Sequence, residues 1–149
     1  LLDTPYPGAI PGPGADRGLQ PTIHVVSMLI VIAEDNSELR MLLAGALERT
    51  GYRVVQAETG AHLVALVTEL VGQGDSPALI ITDVRMPMGS GFDAARTLRE
   101  AGHALPMIFM TAYGDAWTRS KAAELGAVLL DKPLGLDALR RAVHSTLAG

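Results

Sequence analysis

The 149-residue chain contains no cysteine, which excludes a disulfide framework, a thiol nucleophile and a thiolate metal site. Aromatic residues supply only 4% of it and the net charge is -4. There is thus neither a base-stacking surface nor the basic footprint of a nucleic-acid binder. No apolar run approaches the roughly 18 residues that a membrane helix needs. The N-terminus lacks a basic stretch followed by an apolar core, so it does not read as a signal peptide. The lack of cysteine is compatible with an intracellular setting. The first residue is Leu1 rather than methionine, and Met28 offers an alternative start.

What is present fits one globular domain with spare length: 48% of the residues are hydrophobic and 19% charged. The spare length lies at the front. Residues 1 to 24 hold five of the nine prolines and four glycines with no hydrophobic period. Such a segment buries too little apolar surface to offset the entropy of ordering it. It reads as a disordered leader, an interdomain linker or an appended remnant, with the folded domain over 25–149.

From Val25 the pattern changes. VVSMLIVIA is a β-branched run that reads as a buried strand. Asn36 or Ser37 caps a helix whose apolar face carries Leu39, Leu42, Leu43, Ala46 and Leu47. YRVVQA is a second strand, and Thr59 opens a helix bearing Leu63, Leu66, Val67, Leu70 and Val71. ALIIT is a third strand ending at Asp83, followed by a helix over 90–101 around Phe92, Ala95 and Leu98. MIFM ends at Thr111 and leads to a helix from about Asp115 to Leu125. AVLLD ends at Lys132-Pro133 and leads to a last helix with Leu136, Leu139, Val143 and Leu147. Strict strand-helix alternation of this kind predicts a doubly wound α/β fold, a parallel sheet covered on both faces. Ligands of such sheets bind at the carboxyl ends of the strands.

That rule selects a small set of residues. Glu34-Asp35 follow the first strand, Asp83 ends the third, Thr111 the fourth and Lys132-Pro133 the fifth. The second ends at Ala57-Glu58, and Glu58 has no evident role. Three acids on one edge repel one another and call for a cation. Their hard oxygen atoms point to Mg²⁺ rather than zinc or copper. Lys132 adds a mobile positive charge and Thr111 a hydroxyl donor. The set suits phosphoryl transfer to a carboxylate, with Asp83 as nucleophile and the cations and hydroxyl stabilising the phosphoryl oxygens.

Glu34-Asp35, DVRMPMGSG from Asp83, TAYGD from Thr111 and DKP from Asp131, in this order and spacing, resemble the receiver domain of two-component response regulators. The resemblance covers about residues 26 to 147. It implies a five-stranded sheet of order 2-1-3-4-5 and a cytoplasmic phosphorelay protein, a switch rather than an enzyme, that catalyses only its own phosphorylation and dephosphorylation. Asp83 would be the phosphoacceptor. Glu34, Asp35, Asp83 and the backbone carbonyl of Arg85 would hold Mg²⁺. Thr111 and Lys132 would contact the phosphoryl group, and Pro133 would follow a cis Lys-Pro bond. Arg85 and Tyr113 fall at the variable positions that set phosphoaspartate lifetime. The partners implied are a histidine kinase or histidine phosphotransfer protein, an output domain or target outside this sequence, and a second copy in a phosphorylation-dependent homodimer. Neither nucleic acid nor membrane is a direct partner.

Two departures stand out. Leu129 occupies the position, three before the lysine, where the family usually has Tyr or Phe as an inward-turning switch. This affects signalling through the face formed by the fourth helix, fifth strand and fifth helix; Tyr113 is a candidate to shade the site instead. Glu34 stands where Asp is common and still supplies oxygen. Trp117, the sole tryptophan, reads as a half-buried packing residue, with a partner anchor on the output face as the sharper alternative. The methionines read as core filler.

Other patterns carry less. GSGFDA, Gly89 to Ala94, matches a dinucleotide-binding glycine pattern, but Pro87 separates it from a strand that is not the first. His24, His62, His103 and His144 lack ligand spacing. Two rivals remain: a receiver-like module that docks partners constitutively, favoured by Leu129, and an aspartyl-phosphate hydrolase. The hydrolase needs a second acid two residues after the nucleophile, where Arg85 stands.

Overall fold

The computed structural model describes residues 27–149; the leader expected over residues 1 to 24 lies outside them. Five strands and five helices alternate: β1 (Leu29–Ala33), α1 (Ser37–Arg49), β2 (Arg53–Ala57), α2 (Gly60–Gly72), β3 (Leu79–Asp83), α3 (Gly91–Glu100), β4 (Met107–Thr111), α4 (Ala116–Glu124), β5 (Val128–Asp131) and α5 (Leu136–Ala148). The strands form one parallel sheet in the order β2-β1-β3-β4-β5. This is the topology the family resemblance implies; Val25 and Val26 of the expected first strand lie outside the described residues.

Alternating residues of the central strands feed two cores. On one face Val31, Ile80 and Phe109 pack with Leu63 and Val67 of α2, Phe92 and Leu98 of α3 and Ala122 of α4. On the other, Ile30, Ile32, Ile81, Ile108 and Met110 pack with Leu43 and Leu47 of α1 and Leu139 and Val143 of α5. β1, β3 and β4 are buried throughout. The edge strands β2 and β5 are only partly covered, although Val55 and Leu129 pack against one core and Val54 and Leu130 against the other. Short polar caps start four of the five helices: Asn36 accepts from the Leu39 amide, Thr59 from His62, Ser90 from Asp93 and Asp115 from Thr118.

Three sequence expectations need correction. Leu42 does not join the core face of α1; it is exposed, while Arg40 takes a buried place on that helix. The apolar stripe centres on Leu43 and Leu47, and Leu42 sits roughly 100° from Leu43 around the helix. Methionine is core filler only in part: Met107 and Met110 are buried, whereas Met28, Met41 and Met88 are exposed. Trp117 is 63% exposed rather than half-buried, with its ring edge-to-face on Phe92 at 5.9 Å between centroids.

Candidate functional site

The carboxyl ends of the strands converge as the topology requires. β1 hands over at Ala33 to Glu34, Asp35 and the Asn36 cap of α1. β3 ends at Asp83, and its continuation is pinned: the Val84 amide donates to Met110 O of β4 and the Gly91 amide to Val84 O. The chain between them loops outward through Met88, a non-glycine residue at φ 54°, and Gly89 at φ 104°. The approach of α3 to the strand requires a glycine, because a Cβ on Gly91 would collide with Asp83 O.

Glu34, Asp35 and Asp83 each present a carboxylate oxygen, and these atoms lie within 4.8 Å of one another. Glu34 and Asp83 are buried at 1% and 7% exposure, while Asp35 faces solvent. Lys132, expected as a mobile positive charge, is seen in contact with two acids. Its Nζ lies 2.7 Å from both Glu34 Oε1 and Asp83 Oδ2, bridging the two acids. Burial works against the Lys132 ammonium, but hydrogen bonds to Asp83 and Glu34 outweigh it and hold its pKa above the ordinary lysine value. The second oxygen of Glu34 accepts from the Asn36 amide, and Asp83 Oδ1 faces the Arg85 amide at 3.4 Å.

Thr111 ends β4 at 2% exposure, and its Oγ1 accepts from the Tyr113 amide. The Lys132 amide donates to Thr111 O across the ladder, and the Lys132-Pro133 bond is cis. Tyr113 is exposed beyond the site, with the Arg85 guanidinium 5.4 Å from its ring centroid. Leu129 pairs with Phe109 in the ladder and is half-buried against the core under α2, α3 and α4. Arg119 of α4 donates to Gly114 O and ion-pairs with Asp131, joining the loop after Thr111 to the end of β5. Trp117 lines a groove of about 390 Å³ between α3 and α4, with Arg85, Phe92 and Lys121.

The donor set fits a hard divalent ion. Three carboxylate oxygens lie close enough to share one cation, and no thiolate or imidazole is among them. A match to the family described as the response regulator receiver domain spans residues 30–144. The chain belongs to the response regulator receiver family. It is 37% identical over 122 residues to the Escherichia coli sensor protein EvgS, covering 81% of this chain and 10% of that protein. It is 29% identical to sporulation initiation phosphotransferase F of Bacillus subtilis, covering 79% of this chain and 92% of that one. A solved receiver domain from Clostridium thermocellum superimposes with a TM-score of 0.72 at 26% identity, over 81% of this chain and 94% of that one. This receiver thus corresponds to about a tenth of the sensor and most of the phosphotransferase. Among the described residues no helix is long and apolar enough to cross a membrane.

Sequence reasoning missed the receiver's brace on its second strand. Arg40 of α1 donates from Nη1 to Glu34 O at 2.9 Å and from Nε to Gln56 Oε1 at 3.0 Å. Its Nη2 lies 3.7 Å from Glu58, the acid without an assigned role. A second brace joins α2 to the loop after Asp83: the Ala61 amide donates to Met88 O at 2.9 Å, and the Gly60 amide reaches Pro87 O at 3.4 Å. The available signal was the strand order, which sets the end of β2 beside Glu34.

Proposed function

We propose that Asp83 accepts a phosphoryl group from the phosphohistidine of a histidine kinase or phosphotransfer protein, with Mg²⁺ held by Glu34, Asp35, Asp83 and the Arg85 carbonyl. The observation that carries this reading is the packing of three acid oxygens within 4.8 Å around a carboxylate that also holds Lys132 at 2.7 Å. In the step proposed, a carboxylate oxygen of Asp83 attacks phosphorus. The P–N bond breaks, its electron pair stays with the departing imidazole, and an acyl phosphate forms on Asp83. The Lys132 ammonium and Thr111 hydroxyl stabilise charge on the transferred oxygens, and Glu34 and the β-ladder keep Lys132 in reach. The divalent ion, when bound, supplies positive charge for the carboxylates and phosphoryl oxygens. Hydrolysis of the acyl phosphate by water resets the domain, so the only catalysis is self-directed.

The readout proposed is a population shift at the α4, β5 and α5 face, with a kinase, an output target or a second copy as reader. Leu129 brings no hydroxyl or ring to that face, and Arg119 bridging Gly114 and Asp131 is a connection in place for it. The assembled acid and lysine set counts against the constitutive docking module.

Acetyl phosphate with and without Mg²⁺, read by intact mass on wild type and Asp83→Asn, tests the assignment. A Mg²⁺-dependent, base-labile adduct absent from the variant is expected. An adduct that persists in Asp83→Asn, or none in wild type after allowance for dephosphorylation, overturns it.

A further inference from the structure

We propose that Arg40 is a positioning residue for the acid cluster: by tying Glu34 O to Gln56 and Glu58 it keeps Glu34 and Asp35 at the distance from Asp83 that one divalent cation requires. This rests on the reading of that cluster as a cation site.

Arg40 is 8% exposed, although a charged side chain is rarely buried unless paired. Its partners are a backbone carbonyl, a neutral amide and an acid whose side chain is 67% exposed. That is weak compensation for desolvating a guanidinium, so stability alone gives little reason for an arginine here. Geometry gives a better one. The planar fork spans three groups in one arrangement, which neither lysine nor an apolar side chain can do. Two of them lie at the end of β2, which contributes no member of the acid cluster. The third is the carbonyl of Glu34, whose own amide donates to Ala57 O. Both polar groups of the Glu34 backbone are thereby referred to β2. The carboxylates of Glu34 and Asp35 leave the chain at and beside that fixed unit, and the pairing of β1 with β3 relates it to Asp83.

The test is Mg²⁺ titration by calorimetry of the full chain, at a temperature where every protein is folded by circular dichroism. The proteins are wild type, Arg40→Met, Arg40→Lys, Gln56→Ala and Asp83→Asn. Groups that orient metal ligands typically change affinity by about 10- to 100-fold when removed. Arg40→Met is expected to raise the Mg²⁺ Kd about 10-fold, Gln56→Ala less, and Arg40→Lys to recover only part. A Kd in folded Arg40→Met within twofold of wild type overturns the proposal, even if that variant melts earlier. Should Arg40→Met not fold, an unchanged Kd in both Gln56→Ala and Arg40→Lys overturns it equally. Failure of the cation-site reading looks different: wild type and Asp83→Asn would then show the same absence of binding.

Discussion

Gly60 lies at the first position of α2, and the structure assigns its replacement by alanine a sign opposite to helix propensity. Alanine is the better helix former by about 1 kcal/mol in a helix interior, and by less at a terminus. A Cβ at Gly60, however, would collide with Gly89 O and lie 2.6 Å from the Gly89 carbonyl carbon. Non-bonded carbons rest about 3.5 Å or more apart, so the loop must retreat by roughly 1 Å. That movement breaks the 2.9 Å bond from Ala61 N to Met88 O and the already long one from Gly60 N to Pro87 O. The lost bonds cost about 1 kcal/mol, and crowding at a packed contact costs about 1–3 kcal/mol. After the propensity gain, Gly60→Ala is expected to destabilise the fold by about 1–3 kcal/mol, or about 4–12 °C in Tm for a domain of this size. Gly72, at the far end of the same helix, is the internal control. A Cβ there meets nothing within 4 Å, so Gly72→Ala should stabilise by about 0.5 kcal/mol. Urea denaturation by circular dichroism measures both. A Gly60→Ala midpoint at or above that of wild type, with an unchanged slope, would refute the packing argument.

Lys132, whose pKa is raised in the folded state, makes stability depend on alkaline pH. Its contribution is fully present below the unfolded lysine value of about 10.4 and is lost as pH rises through the higher folded value. Thermal melts in chelator across that window should show a loss in wild type that Lys132→Met lacks. Ser90→Ala removes the cap on the Asp93 amide and should cost about 1 kcal/mol in urea denaturation. Trp117 stands edge-to-face on Phe92, and Phe92 follows the Gly91 contact with the Asp83 backbone. Phosphorylation should therefore change Trp117 fluorescence; a spectrum unaltered in a fully phosphorylated sample would show that the change stops short of α4.

The strand-helix alternation and the strand-end residues were legible because they depend on local signals, β-branched runs, caps such as Thr59 and motifs at each strand end, whereas the sheet order came from the family resemblance those motifs carry. Arg40 was not. Its burial depends on a carbonyl six residues back and an amide sixteen residues ahead, and in a one-dimensional reading an arginine beside Met41 is a solvated helix residue. Glu58 lacked a role for the same reason. Leu42 misled because an apolar residue within the helical period does not say which flank of the stripe reaches the core. The fit of Gly60 against Gly89 left one faint trace, a glycine directly after a cap, where better helix formers are available.

The Lys132 ammonium, lodged between Glu34 and Asp83, means that the acid pocket carries its own counter-ion. Any cation that enters does not discharge a bare anionic hole; it displaces or shares with a charge already there. The free energy of entry would then be a difference between two occupants, one of them tethered at a fixed effective concentration. Such a site would discriminate by exchange. A singly charged ion would bring no more charge than the tethered ammonium, whereas a small divalent ion would bring more, so that for the proposed Mg²⁺ the lysine would be a built-in competitor.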